Sequence, residues 1–211
     1  KIRVLMFKFI PSSSFISLSA LLLMLSGCSS YDNAMKTLPS ELSIADECTN
    51  SNKQFEVDCY ELIAYKNSFA QMRLGLHAQN RGNYKEALQR FNLAKEKGNF
   101  YVNSLIADMY NNGLGVPKDK DKVIDLLKDV KSVDPIAAYK LSFYYMSKDD
   151  YKEAIKLLTF AADNGVKSAQ LKLAAMYGNG DNVEPDLEKS NYWTFQYENN
   201  SIDFVNKIFG L

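Results

Sequence analysis

The chain repeats itself at a long, fixed interval. Asn83-Tyr84-Lys85-Glu86-Ala87-Leu88 returns 67 residues later as Asp150-Tyr151-Lys152-Glu153-Ala154-Ile155. Ala107-Asp108-Met109-Tyr110, with Gly113, Val116 and Asp119, returns at the same offset as Ala174-Ala175-Met176-Tyr177, with Gly180, Val183 and Asp186. Gly98 returns as Gly165. A 67-residue period is too long for one supersecondary unit and fits two, of about 32 and 35 residues. The half-period is marked by Ala70, Val102, Ala137 and Ala169, and again by Leu74, Ile106, Leu141 and Leu173. Repeats of that size are helix pairs that bury their apolar faces only by stacking. The fold expected is therefore all-α, a right-handed solenoid of about four helix-turn-helix units.

One unit can be read residue by residue. Its first helix needs small side chains where helices cross, at Gly75, Ala107, Ser142 and Ala174, and large ones beside them, among them Tyr110, Tyr145 and Tyr177. The turn into the second helix comes in two lengths. The short form has Asn83-x-x-Glu86 and Asp150-x-x-Glu153, which have the spacing of capping boxes. The long form carries Gly113 and Gly115, where glycine permits positive φ. The second helix packs Ala87, Phe91 and Ala94, or Ala154, Leu158, Ala161 and Ala162, and Gly98 and Gly165 suit left-handed C-caps.

These residues resemble the Sel-one-like repeat (SLR) family, a relative of the tetratricopeptide repeats. Ala169-x-x-x-Leu173-Ala174-x-x-Tyr177-x-x-Gly180 matches the first half of its pattern, and Asp186, Lys189 and Trp193 match the second, with Ser190 in place of alanine. The 102–119 unit matches at Ile106, Ala107, Tyr110, Gly113, Gly115, Val116 and Asp119. The first and third units depart, because their inter-helix loops are short and lie nearer the tetratricopeptide turn. The resemblance covers roughly residues 68–200 and implies protein binding and no reaction. It also implies where a partner would lie, on the concave face lined by the first helix of each unit. Mapped here, that face is Phe69, Met72 and Leu76, then Tyr101, Ser104, Asp108 and Asn111, then Tyr139, Phe143 and Met146, then Leu171. Large apolar side chains at solvent-facing positions mark an interface. Two other readings stay open: the 45–66 segment fills the groove, or the register is off by one and several of these residues are core.

The N-terminus reads as an address. Lys1, Arg3 and Lys8 precede an apolar run from Phe15 to Leu25, which is shorter than a bilayer-spanning helix requires. Leu25-Ser26-Gly27-Cys28 follows and resembles the lipobox of bacterial lipoproteins. That resemblance implies signal-peptidase cleavage before Cys28 and acylation of it, and Ser29 implies an outer-membrane destination facing the periplasm. The chain opens on Lys1, and Met6 would begin a better-formed signal. Two or three acyl chains would hold such a protein to a membrane durably. Of three cysteines, acylation takes Cys28, and Cys48 and Cys59 remain to form a disulfide in an oxidising compartment. Residues 1–27 are thus expected as signal peptide, 28–46 as a lipidated flexible tether, 47–67 as a disulfide-clipped helix, 68–200 as repeats and 201–211 as a capping helix. A partner-binding tail is the other reading of that last segment.

Composition removes most chemistry. Equal numbers of basic and acidic residues, 25 each, give no electrostatic footprint for nucleic acid. A single histidine, His77, excludes sites with several His ligands. His77 lies between Arg73 and Arg81 at helical spacing, which reads as an anion-binding stripe or, more simply, as a solvated face. Gly113-x-Gly115 lacks the Lys-Ser/Thr of a phosphate loop, and Lys118–Lys122 lacks the carboxylate spacing of a calcium loop. No cofactor, metal, small-molecule substrate or catalytic group is expected. The function expected is a membrane-anchored periplasmic adaptor that binds another protein. The alternative is an immunity protein neutralising a lipase-type effector of type VI secretion.

Overall fold

The computed structural model describes the backbone of residues 18–211 and the side chains of residues 31–211. The signal-peptide reading of 1–27 and the acylation of Cys28 fall outside the described side chains. Among the described residues there are eleven helices and no strand, and no helix is long and apolar enough to cross a membrane.

Eight of the helices form four stacked pairs: α3 (Ser68–Asn80) with α4 (Tyr84–Glu96), α5 (Val102–Asn112) with α6 (Lys120–Val130), α7 (Pro135–Met146) with α8 (Tyr151–Asp163), and α9 (Lys167–Asn179) with α10 (Leu187–Asn199). Each helix packs chiefly on its neighbours in sequence, as a solenoid requires. The 67-residue offset is exact for α4 and α8, which start and stop at equivalent residues. Small residues sit at the crossings as expected: Ala107, Ser142 and Ala174 are buried. A Cβ on Gly75 would lie 2.5 Å from the Phe91 ring.

The turns follow their residues. Asn83 and Asp150 accept the backbone N–H groups of Glu86 and Glu153, so both short loops end in side-chain N-caps. Glu86 completes its box differently from the usual pattern, accepting from the Asn83 side-chain amide at 2.8 Å. The long loops end in Asp119 and Asp186, which cap Lys122 and Lys189. Gly115 is needed twice over: its φ is +71°, and a Cβ there would lie 2.8 Å from Cβ of Tyr84 in the preceding unit.

Three helices lie outside the pairs, and two correct the sequence reading. Residues 31–46, expected as a flexible tether, belong to α1 (Leu18–Asp46), which contains Pro39. Ala34, Leu38, Leu42 and Ala45 form a buried stripe along it. α1 is also pinned by polar contacts. Glu41 accepts from the Ser68 backbone N–H at 2.7 Å, and Tyr31 donates to the Asp129 carbonyl at 3.1 Å. α2 (Lys53–Ile63) packs on α3, and Cys59 within it is joined to Cys48 by a disulfide with a Cα–Cα separation of 5.5 Å. α11 (Phe204–Phe209) packs Phe204 and Val205 on the core of the last units, but it does not end there as the capping role expected for 201–211 would have it. Its first residue donates its N–H to the Gly165 carbonyl at 3.1 Å, and Phe209 and Gly210 end in a cleft with Tyr60, Arg73 and Leu76. The segment therefore runs from the fourth unit back to the first.

Candidate partner-binding surface

The first helices of the four units, α3, α5, α7 and α9, carry every residue of the expected interface except Tyr101, which N-caps α5. The structure divides those residues into three groups.

The first group is covered by the chain itself. Phe69 and Met72 are fully buried, and Leu76 is half-buried beside Phe209. Tyr101 lies with its ring 6.0 Å from Phe204 and 6.1 Å from Phe69. Met35, Leu38, Phe69, Tyr101, Phe204 and Ile208 meet around one apolar cavity of about 140 Å³. The groove beside units one and two is thus filled by α1 and α11, with Glu56 and Tyr60 of the 45–66 segment lining its end beside Leu76. Burial and the charge of Asp134 push the Tyr101 phenol up to about 12, so it stays neutral.

The second group faces the next helix. Ser104 is buried and donates to Asp134 Oδ2 at 2.8 Å, while Asp108 is ion-paired with Lys140. These residues join α5 to α7; buried Ser104 does not face a partner as expected, while the Asp108 carboxylate stays partly exposed. Asp134, one residue before Pro135, also caps α7 by accepting the Ile136 N–H at 2.8 Å. Burial raises its carboxyl to about 7, against the pull of Ser104, two backbone N–H groups and Lys140. Ser104 Oγ also lies 3.1 Å from the Tyr101 carbonyl.

The third group is open. Phe143 is 44% exposed and Leu171 51% exposed. Tyr139 and Met146 are half-buried, Asn111 is exposed, and the Tyr139 and Phe143 rings stand edge to face at 5.1 Å. Exposed apolar side chains also gather on the outward side of α10, at Leu187, Tyr192 and Phe195.

The Arg73–His77–Arg81 stripe is split: Arg81 is solvated, while Arg73 and His77 turn into the protein. Arg73 is buried, ion-paired with Asp46, and donates to the Tyr60 hydroxyl at 3.1 Å. His77 Nε2 lies 3.1 Å from the buried Glu56 carboxylate. Burial would raise the Glu56 carboxyl, but the Asn50 N–H, Lys53 and His77 outweigh it and hold it below the usual range. The cluster ties α1 and α2 to α3. Among the described residues no group of His, Cys, Asp and Glu is arranged to hold a metal.

Stacked helix pairs with glycine-bearing long loops define a helical repeat protein whose contacts are local and whose exposed face binds. Residues 103–127, 135–166 and 167–194 match the Sel1 repeat family, so units two to four, short-looped unit three included, are Sel1 repeats. Unit one lies outside the matched segments. The chain is similar to a Sel1 repeat protein from Oxalobacter formigenes, with 25% identity and a TM-score of 0.60 over 68% of this chain and 63% of that one. It is also similar to a protective antigen of uropathogenic Escherichia coli that displays an SLR fold, with 24% identity and a TM-score of 0.58 over 82% of this chain and 40% of that one. This chain thus spans less than two thirds of either. Sel1 repeats are protein–protein interaction scaffolds, and the family is typically non-catalytic.

Proposed function

We propose that this protein is a lipid-anchored adaptor of the bacterial outer membrane, facing the periplasm, which binds an apolar segment of a partner protein along α7 and α9. One observation carries the reading. Of the residues that the repeat pattern assigns to the binding face, Phe143 and Leu171 keep large apolar side chains in solvent where α1 and α11 leave them uncovered. Tyr139 and Met146 extend the strip. Exposed apolar area of this kind marks an interface, and an amphipathic helix laid in a groove is a common way to use it. The anchor rests on Leu25-Ser26-Gly27-Cys28 behind an apolar run. The Cys48–Cys59 disulfide suits an oxidising compartment.

A photoreactive residue at Phe143, in living cells, tests the surface. Capture of a resident envelope protein is the expected result. Capture of a secreted effector would turn the reading into an immunity protein, and crosslinks confined to this chain would overturn it. Cys28→Ala should leave a soluble or precursor form on fractionation, and a mature outer-membrane form would refute the anchor.

A further inference from the structure

α11 lies in the groove as a ligand would. Its six residues are too few to stand as a helix in water, so the groove is what organises them. Ile208 and Phe209 are buried there, and the Phe204 ring meets that of Tyr101. These anchors stand at i, i+4 and i+5, the spacing by which an amphipathic helix lies in an apolar groove. The residues they cover include Phe69, Leu76 and Tyr101, three that the repeat pattern assigns to a partner.

The hold on α11 is divided. Its polar contacts gather where the chain enters the groove. Asn200 Nδ2 and the Phe204 N–H donate to the Gly165 carbonyl at 2.9 and 3.1 Å, and Asp203 Oδ1 accepts the Lys167 N–H at 3.4 Å. Beyond Val205 the hold is apolar: among the described residues, no hydrogen bond or ion pair joins 206–211 to any residue before Asn200. The fit is also incomplete. The cavity of about 140 Å³ lies under α11, between Phe204 and Ile208 on one side and Met35, Leu38, Phe69 and Tyr101 on the other. Side chains that border a void forfeit contacts there, so a helix that filled it would bind the same groove more tightly. Phe204 and Val205 rest on the apolar core that Tyr139 and Met146 also flank, so the groove runs on from the open strip into the α11 seat.

We propose that α11 is an exchangeable resident of this groove, and that one amphipathic helix of a partner protein, with large apolar side chains at i, i+4 and i+5, takes its place. α11 swings out about residues 200–203, where the chain leaves α10. The exchange rests on the adaptor reading in that a partner protein is bound, and not on the Phe143–Leu171 strip being where it is bound.

A fluorescein-labelled peptide of residues 200–211, followed by anisotropy against the full chain, tests it. The tethered α11 competes at high effective concentration, so the wild-type chain should bind the peptide weakly. Ile208→Ser with Phe209→Ser in the chain loosens the resident helix and should tighten peptide binding roughly tenfold or more. The same peptide with Phe204, Ile208 and Phe209 all changed to serine should bind neither chain. Equal binding of the native peptide to both chains, binding to neither, or binding of the serine peptide would overturn the proposal. Hydrogen exchange on the wild-type chain decides the matter should the double variant not fold. The α11 amides should exchange roughly a hundredfold faster than those of α3, because α11 opens without the rest, and equal rates would overturn the proposal as well. Each result concerns the α11 seat alone, since Phe143 lies outside it, and capture from Phe143 succeeds or fails independently.

Discussion

The two ends of the solenoid are finished differently. In unit one, α3 is enclosed by α1, α2, α4 and α11, and every residue from Ser68 to Gly75 is buried, Gln71 and Arg73 included. In unit four, α10 packs chiefly on α9 and buries only Trp193, while Leu187, Tyr192 and Phe195 stay in solvent. Enclosure brings polar obligations. A helix covered on every side must find internal partners for its polar groups; the two terminal nitrogens of Arg73 find them in Asp46 and the Tyr60 hydroxyl, while its Nε is buried without one. The open end carries a smaller obligation: its core is built on Leu158, Val166, Leu173, Met176 and Trp193, and its buried polar side chain, Gln170, donates to the Ala162 carbonyl at 3.0 Å and accepts from the Asn200 amide at 3.3 Å. The enclosed end should therefore unfold with the body of the protein and the open end ahead of it.

Overpacking the two equivalent crossings gives the largest effects and the sharpest test of that contrast. Gly75→Leu drives a side chain into Phe91, and Ala174→Leu does the same at the last crossing; each should cost about 1–3 kcal/mol or more. Trp193, the single tryptophan, reports on unit four alone. With Ala174→Leu its fluorescence should change before the helical circular dichroism is lost. With Gly75→Leu both signals should move together. The reverse pattern would show that the open end is the more stable one.

Asp134 lies between the ends, at the junction of units two and three, and makes stability depend on pH. A carboxyl that holds its proton more tightly folded than unfolded stabilises fully below its unfolded pKa and loses that contribution as pH rises through its folded value. With the folded value raised to about 7, the protein should weaken between about pH 4 and pH 7, by on the order of 2–4 kcal/mol. Asp134→Asn, which keeps an oxygen for the Ile136 cap and does not titrate, should flatten that slope. Urea unfolding across this range checks it. An unchanged slope in the variant would assign the dependence to another group.

The disulfide belongs to the enclosed end only. Cys48 and Cys59 are 11 residues apart, and a loop of that size contributes about 2–3 kcal/mol in the chain-entropy model. Cys48→Ala with Cys59→Ala should lower the main transition by that amount. A Trp193 transition that moved equally would mean the two ends are coupled more tightly than their packing implies.

The same contrast explains what the sequence disclosed. Units two to four were legible because a stacked repeat imposes small residues at crossings, glycines at long turns and caps at short ones, each recurring at a fixed spacing. Enclosure erases such signals. Phe69 and Met72 sit where a solvent-facing residue belongs in the repeat, and α1 and α11, which lie outside it, bury them. The α1 stripe was present as Ala34, Leu38, Leu42 and Ala45, but Ser40, Ser43 and Pro39 among them gave the segment the composition of a tether. Asp134-Pro135 did carry a signal, an N-cap residue before proline at the first helical position.

Phe143 and Phe195 separate function from folding, with the smallest expected effects on stability. Both side chains are substantially exposed, at 44% and 60%, so changing either to Ser should shift stability by about 0.5 kcal/mol, slightly more at Phe143 through its edge contact with Tyr139. Their effects on partner capture should differ. Phe143 lies on the face shared by the first helices of the repeats, whereas Phe195 lies on the outward side of α10, where a further repeat would stack. Loss of capture with Phe143→Ser alone would fix the interface on α7 and α9. Loss with Phe195→Ser alone would instead put the partner at the unfinished end of the solenoid, extending the stack and not filling its groove. Because neither substitution opens a cavity or strands a polar group, a loss in either case would report on docking and not on the fold.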